Sequence, residues 1–337
     1  MMKQKMVMCL LAGVLVLGMS GCGAQEVEVP EVENVETAEE EPVPEETEQL
    51  DAESAPEEVP TVDDAAEPEE TEPKETEAAS APVVYEDGGQ ITLDPSWTYA
   101  DHSKINSGAA VLYKAAENRK EIVVGVNAGH GTSGGTKVKT LCHPDGSAKV
   151  TGGTTAAGAT EAVAVSSGMT FNDGTPESSV TLRMAQILKE KLLAAGYDVL
   201  MLRDGDDVQL DNVARTVICN NAADCHIALH WDGDGLNYDK GCFYISVPDG
   251  LKSMEPVDSH WSEHNALGSA LVEGLRAQGA KIHGDGSMSI DLTQTSYSTV
   301  PSVDMELGNA CSDHSDSALD LLGNGLVQGV NSYFGQS

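Results

Sequence analysis

The sequence is poor in basic and in aromatic residues. Its 337 residues include 19 lysines and arginines against 55 aspartates and glutamates, and aromatic side chains make up 4% of the chain. The formal net charge of −36 comes with no basic stripe that could neutralise phosphates. This composition argues against a nucleic acid as partner.

Closely paired cysteines are also missing. The chain has seven cysteines, none of them in a CxxC pair, and five lie beyond residue 80. An odd number without short paired spacing predicts neither a zinc knuckle nor a disulfide framework. We expect these five to be small buried residues, with at most one or two bridges.

The one apolar run typical of a membrane signal lies at the N-terminus. Met6–Met19 follows two lysines, is too short to anchor the chain stably across a bilayer, and precedes small residues. This pattern predicts an export signal over residues 1–21. Residues 17–22 resemble a bacterial lipobox, which implies cleavage before Cys22 and attachment of a lipid to its thiol; a plain signal peptide is the alternative. The lipid would anchor the protein to the outer face of the cytoplasmic membrane, facing the cell wall.

The segment 22–80 lacks the side chains of a folded core. Residues 23–80 contain 23 aspartates and glutamates against a single lysine, with recurring prolines and almost no large apolar side chains. Such a segment buries too little surface to offset its ordering entropy, and its like charges repel one another. We therefore predict a disordered, extended linker between the membrane and a globular head.

From residue 81 onward, apolar runs and helical periods alternate. We interpret 81–120 as an N-terminal flap with a short helix at 107–116. The predicted elements that follow are strands at 121–127, 198–202, 225–231, 241–247 and 302–307, and helices at 175–195, 211–222, 262–278 and 315–334. The alternation predicts a single α/β domain over 121–337, with a central mixed, twisted sheet flanked by helices on both faces. Residues 131–176, rich in Gly, Thr, Ser and Ala, are predicted to form a long loop insertion beside the site.

Four residues stand at the ends of predicted elements. His130 follows the first strand between two glycines, Glu177 lies on the first turn of a helix, and His230 and Glu306 lie near the ends of two later strands. Two histidines and a glutamate suit Zn²⁺ in an open catalytic site, and a further carboxylate could transfer protons. Each residue also has a structural explanation, since a glutamate on a first helical turn contributes about 0.3–1 kcal/mol through the helix dipole.

The contexts of these residues resemble those of the zinc-dependent N-acetylmuramoyl-L-alanine amidases of bacterial cell walls, over about residues 121–335. The similarity is carried by four signatures in the family's order: Gly129-His130-Gly131, Glu177–Leu182, Ala228–Asp232 and Pro301–Gly308. The sequence departs from the family in three places. Asn127 and Ala128 replace the usual Asp and Pro, and the insertion lengthens a loop that is short in the family. Trp231 and Asp232 follow the histidine of the third signature.

The resemblance implies hydrolysis of the amide bond between N-acetylmuramic acid and L-alanine in peptidoglycan. It assigns one Zn²⁺ to His130, Glu177 and His230, and proton transfer to Glu306. We expect a monomer that acts on peptidoglycan. Two alternatives remain: an inactive peptidoglycan-binding lipoprotein, and a zinc hydrolase of another exported amide.

Five further residues are candidates for supporting the ligands or forming the rim of the site: Arg203, Arg215, His226, Trp231 and Asp304. Three of them also have a plainer interpretation. His226 would be a core histidine, Trp231 a packing residue and Asp304 a hydrated acid. The histidines at positions 260, 264, 283 and 314 are expected at the surface.

Overall fold

A computed structural model describes residues 85–336. The predicted signal peptide, Cys22 and the acidic linker lie outside the described residues, so these interpretations stay predictions. Within residues 85–336, no helix combines the length and the apolar character needed to cross a membrane.

Eight strands form one mixed sheet, and two more form a separate hairpin. In chain order the ten strands of the described chain are β1 (Gly89–Ile91), β2 (Ala110–Tyr113), β3 (Val123–Ala128), β4 (Lys139–Leu141), β5 (Glu161–Val163), β6 (Asp198–Met201), β7 (Cys225–Asp232), β8 (Cys242–Ser246), β9 (Ile282–Ser289) and β10 (Ser302–Asn309). The sheet order is β1-β2-β6-β3-β7-β10-β8-β9, and β4 pairs with β5. The four central strands β6, β3, β7 and β10 are parallel, and antiparallel partners flank them on both sides. The predicted mixed α/β sheet is confirmed.

Helices cover both faces of this sheet. They are α1 (Glu177–Ala194), α2 (Asn212–Ala222), α3 (Val257–Ala277), α4 (Thr293–Tyr297) and α5 (Asp316–Tyr333). Successive strand residues point to opposite faces, and β6 shows this directly. Val199 and Met201 pack in the core that contains α1, α3 and α5, whereas Leu200 packs in a second cluster with α2.

Local sequence explains the helix boundaries. Val180, Met184 and Leu188, spaced four residues apart, are fully buried, so α1 presents one apolar stripe to the sheet. α1 stops before Gly196, which adopts a φ of +90°. At the start of α2, the Asp211 carboxylate accepts a hydrogen bond of 2.8 Å from the amide of Ala214.

The N-terminal part of the described chain differs from its prediction. The expected helix at 107–116 is wrong, because β2 occupies this segment and pairs with β1 and β6. Ala110 and Leu112 are buried while Val111 and Tyr113 are half-buried, which is the period of two that a strand requires. Residues 89–113 therefore extend the main sheet.

Other boundaries also differ. α3 begins at Val257, five residues before its predicted start, and β9 and α4 were not predicted. Residues 131–176 are largely irregular, as expected, but they include a short 3₁₀ turn at Gly135–Lys137 and the β4–β5 hairpin. The five described cysteines are all free, and four of them are buried.

Candidate metal centre

The loop after β3 carries His130 in an unusual backbone conformation. His130 has a φ of 65°, in the left-handed region that few residues other than glycine adopt. A Cβ on Gly129 would lie 2.3 Å from a ring carbon of His230, and one on Gly131 would lie 2.5 Å from Arg203 Nε. Both glycines are therefore required by close approach of the two side chains that pack around this loop.

The structure brings together three of the predicted residues. His130 Nε2 lies 2.9 Å from Glu177 Oε1, and His230 Nδ1 lies 3.2 Å from the same oxygen. The two imidazole nitrogens are 3.1 Å apart. His130 comes from the end of β3, Glu177 from the first turn of α1 and His230 from β7. The three side chains form a compact cluster with the spacing of a metal site.

The donor pattern of the cluster fits a cation. His130 Nδ1 lies 2.9 Å from the carbonyl oxygen of Ser166, which only accepts, so Nδ1 carries the proton. In a neutral imidazole the Nε2 lone pair then faces the carboxylate of Glu177, and a proton or a metal ion must separate the two. Ligand atoms of a tetrahedral zinc site lie about 3.3 Å apart, close to the separations observed here. Two nitrogens and one carboxylate oxygen thus fit Zn²⁺.

Backbone groups orient the glutamate. The amide of Trp231 donates to Glu177 Oε1 at 3.0 Å, and the amide of Met169 donates to Oε2 at 2.8 Å. Burial favours the neutral acid, but hydrogen bonds from His130 and His230 outweigh it and hold the pKa of Glu177 well below its usual range. The carboxylate is therefore charged.

The electrostatics around His230 call for positive charge. Burial opposes an imidazolium here, but Asp304, Glu177 and Glu306 outweigh burial and raise the pKa of His230 to about 10. In the metal-free protein a proton supplies the positive charge that these acids require. A bound metal ion would supply it instead.

Two carboxylates from β10 face the same cleft. Glu306 pairs in register with His230, and Asp304 pairs with Ala228, so both acids lie on the His230 side of the sheet. Asp304 Oδ2 lies 4.0 Å from His230 Nε2. Among the described residues, Asp304 Oδ1 and Glu306 Oε2 are buried without a hydrogen-bond partner. Burial raises the pKa of both carboxyls, and Asp304 adds to the effect on Glu306.

Two buried arginines hold the His130 loop. Arg215 donates to the carbonyls of Leu210, Ala128 and His130 and to the side chains of Asn127 and Thr132. These bonds use all five N–H groups of its guanidinium.

Arg203 donates hydrogen bonds to the other side of the same loop and to the start of α1. It donates to the carbonyls of Ala128, Gly129, Ser178 and Gly205 and to the Thr181 hydroxyl. Burial lowers the pKa of Arg203 to about 10 and that of Arg215 to about 9.

Three other histidine and tryptophan side chains lie away from the ligand atoms. Trp231 is buried and its side chain packs in the core against Phe171, and the residue also borders the cleft. His226 is fully buried, and neither ring nitrogen has a partner among the described residues. His264 was expected at the surface, which is wrong: it is buried, and its Nδ1 accepts a bond from the Ser302 amide.

Sequence reasoning missed the end of the insertion as a support of the cluster. Ser166 and Met169 act through a backbone carbonyl and a backbone amide, so no side-chain pattern marked them. Between them, Gly168 has a φ of +79°, and a Cβ there would lie 2.7 Å from Glu177 Oε2. The glycine at position 168 is the one feature of this stretch of sequence that could have indicated the contact.

The cluster opens into a cleft of about 680 Å³. His230 keeps 21% of its side chain exposed there, whereas Glu177 is almost completely buried. The cleft contains the three clustered side chains, the two acids of β10 and residues of the insertion. This combination defines an α/β enzyme with a buried site of the metal-binding type at the carboxyl ends of parallel strands.

The family follows from comparison with known proteins. Residues 124–320, more than half of the chain, match the model of the N-acetylmuramoyl-L-alanine amidase family. The chain belongs to this family and to its enzyme class, which acts on peptidoglycan as an amidase. No curated protein matches the sequence.

Solved structures share the fold. The N-acetylmuramyl-L-alanine amidase Ami1 from Mycobacterium smegmatis is 19% identical and aligns with a TM-score of 0.54, covering 65% of this chain and 99% of that chain. The apo form of Ami1 from Mycobacterium abscessus is 20% identical with a TM-score of 0.51, covering 64% and 99%.

Proposed function

We propose that this chain cleaves the amide bond between N-acetylmuramic acid and L-alanine with one Zn²⁺ ion held by His130, Glu177 and His230. The observation that carries the proposal is the convergence of their ligand atoms at 2.9–3.2 Å, with the His130 tautomer set by Ser166. When bound, zinc would polarise the amide carbonyl and acidify a water molecule.

Glu306 is proposed to move the proton. It lies beside His230 on the adjacent strand and has an unpartnered carboxylate oxygen, so its position supports acceptance of a proton from the attacking water. As the water oxygen bonds to the carbonyl carbon, the carbon–nitrogen bond breaks and Glu306 delivers the proton to the departing L-alanine nitrogen.

Two buried arginines hold the His130 loop in place for this reaction. Arg203 and Arg215 hold the His130 loop by hydrogen bonds to backbone carbonyls, and neither guanidinium forms an ion pair with a described carboxylate.

We further propose that the enzyme is a lipoprotein anchored through Cys22 on the outer face of the cytoplasmic membrane. The sequence of residues 1–22 supports this, and the acidic linker gives the domain reach toward the wall. Metabolic labelling with a fatty acid, compared between the wild-type protein and Cys22→Ser, tests the anchor. Equal labelling of both would exclude it.

The reaction is tested with the purified protein, purified peptidoglycan and mass spectrometry of the soluble products. The wild-type protein should release intact stem peptides with a free L-alanine amine. Glu306→Gln should keep its zinc content and lose activity by a factor of about 10² to 10⁴. Glu273→Gln, an exposed glutamate on α3, is the matched control. Release of other products, or normal turnover by Glu306→Gln, would contradict the proposal.

A further inference from the structure

Segment 132–168, the part of the insertion that follows the His130 loop, forms one wall of the cleft. The wall residues that line the cleft include Lys149, Thr154, Thr155 and the stretch 166–168. They face the cleft together with residues 290–294, which form the connection from β9 to α4 and the first turn of α4. The wall is therefore part of the surface that a substrate meets.

Asp291 fixes the middle of the wall. Its side chain is fully buried and accepts hydrogen bonds from His143 Nε2 at 2.9 Å and from the Val150 amide at 2.7 Å. Its own amide donates to Thr151 Oγ1 at 2.8 Å. Lys149 Nζ donates to the backbone carbonyl of Asp291 and lies 3.4 Å from its carboxylate. One wall histidine and the three consecutive residues 149–151 thus all bind Asp291. These bonds fix the middle of the wall relative to the segment that connects β9 to α4.

Lys149 differs from the other cation in the cleft. Among the described residues that line the cleft, the lysines and arginines are Lys149 and Arg215. All five N–H groups of Arg215 are used within the protein. An ammonium has three donors, and both bonds of Lys149 go to Asp291. One N–H donor of Lys149 therefore remains for a group in the cleft.

Among the described residues that line the cleft, Lys149 is the cation with a spare donor, so an anionic group in the cleft would bind there. Asp232, Asp304 and Glu306 line the cleft on the strands that carry or flank His230 and offer such a group no cation. Asp291 stays bound to Lys149, so a ligand carboxylate would share the ammonium with it. In the proposed substrate, the sugar rings carry no charge beside the amide to be cleaved, whereas a stem peptide ends in a carboxylate.

We propose that segment 132–168 binds the stem peptide, and that Lys149 donates a hydrogen bond to one of its carboxylates beyond the first L-alanine. This inference rests on the proposed function, since it assumes a muropeptide in the cleft. Lys149 then selects acidic stem peptides over their amidated forms. The hydroxyls of Thr154 and Thr155 line the same wall and offer further donors to the peptide.

The test compares two substrates, N-acetylmuramoyl-L-alanyl-D-glutamic acid and the same compound with both carboxyls amidated. The wild-type enzyme should show a KM about tenfold lower for the acid, as expected for one charge-assisted hydrogen bond. Lys149→Met should raise the KM for the acid to that for the diamide without lowering kcat. Lys149→Arg should restore part of the preference, because it retains the charge.

Asp291→Asn separates recognition from wall position. It weakens the fixation of the wall but keeps the Lys149 charge, so we expect KM to rise for both substrates while the preference for the acid is retained. If Lys149→Met raised both KM values by the same factor, Lys149 would be structural and the proposal would be overturned. A wild-type enzyme without preference for the acid would overturn it as well. Should Lys149→Met not fold, Lys149→Gln replaces it under the same criteria.

A second measurement does not depend on hydrolysis. Calorimetric titration of the wild-type protein with L-alanyl-D-glutamic acid and with its diamide measures peptide binding directly. If neither muropeptide is hydrolysed, the proposed function fails, while the titration still tests the wall. Tighter binding of the acid, lost in Lys149→Met, supports the inference, and equal or undetectable binding of both peptides overturns it.

Discussion

Arg203 Nε and Arg215 Nη1 donate hydrogen bonds to the same oxygen, the carbonyl of Ala128, each at 3.1 Å. The two guanidinium groups approach the loop before His130 from different elements. Arg203 follows β6, and Arg215 lies on α2. The position of His130 is therefore set by two rigid side chains as well as by β3.

Arg215→Lys should loosen this loop. A lysine offers three donors in place of the five that Arg215 uses, so at least two hydrogen bonds to buried acceptors are lost. We expect a loss of stability of about 2 kcal/mol and a fall in zinc affinity of roughly 10- to 100-fold. Urea denaturation and competition with a zinc chelator measure the two effects. Arg276→Lys, on the exposed face of α3, is the control, and unchanged zinc affinity in Arg215→Lys would refute the positioning role.

His130→Ala should remove the bound zinc. Two protein ligands would remain, and a buried site with two ligands holds Zn²⁺ weakly. Elemental analysis after dialysis should give close to one zinc per chain for the wild-type protein and close to none for the variant. His283→Ala, on β9, should retain zinc. A stoichiometric ion in His130→Ala would mean that the ligand set is wrong.

Gly168→Ala should disturb the cluster specifically. A Cβ there meets Glu177 Oε2 and His130 Cδ2, each at 2.7 Å, so one of these side chains must shift. Gly158→Ala is a matched control, because Gly158 has a similar φ of +83° and no atom within 4 Å of the new carbon. Both variants bear the cost of a left-handed alanine, about 1 kcal/mol. Zinc affinity should fall about tenfold or more only in Gly168→Ala; equal affinities would show that the contact is unimportant.

Asp291 should make stability dependent on pH. Burial raises its pKa, but bonds from His143, the Val150 amide and Lys149 outweigh burial and lower it below the usual value. The folded state then binds the proton less tightly than the unfolded state, whose carboxyl titrates near pH 3.9. The stabilisation is present above this pH and is lost as the pH falls through the folded pKa.

Denaturation of the wild-type protein and of Asp291→Asn between pH 3 and pH 7 measures this contribution. The difference in unfolding free energy should be largest near neutral pH and should shrink below about pH 4. Asp285→Asn, exposed on β9, serves as the control. A difference that does not vary with pH would contradict the assignment.

The sequence allowed prediction of the sheet core and of the residues that converge. The apolar spacing of α1 and the β-branched runs of the central strands are strong local signals, and strand ends in a parallel sheet meet at one edge. The flanking residues of His130, Glu177 and His230 therefore allowed the prediction that their side chains meet at one edge of the sheet. Their roles in catalysis remain predictions for the experiments above.

Other features depended on tertiary contacts. β2 is a short strand between β1 and β6 whose apolar residues suit a helix or a strand, and its pairing with these two strands decided between them. Ser166 and Met169 support the cluster through backbone atoms, which carry no residue-specific signal. His264 is buried because it lies on the same face of α3 as Leu267 and Leu271, where its Nδ1 accepts a hydrogen bond from the Ser302 amide.

The insertion begins and ends at the cluster. His130 precedes it, and Ser166 and Met169 at its far end contact His130 and Glu177. An ion bound by both ligands would close a loop that contains the whole wall, and loop closure lowers the conformational entropy that the segment can gain on opening. Metal occupancy and peptide selection would then be thermodynamically linked. Chelation should expose the wall to proteases before the rest of the domain, and a bound stem peptide should in turn slow the release of the ion.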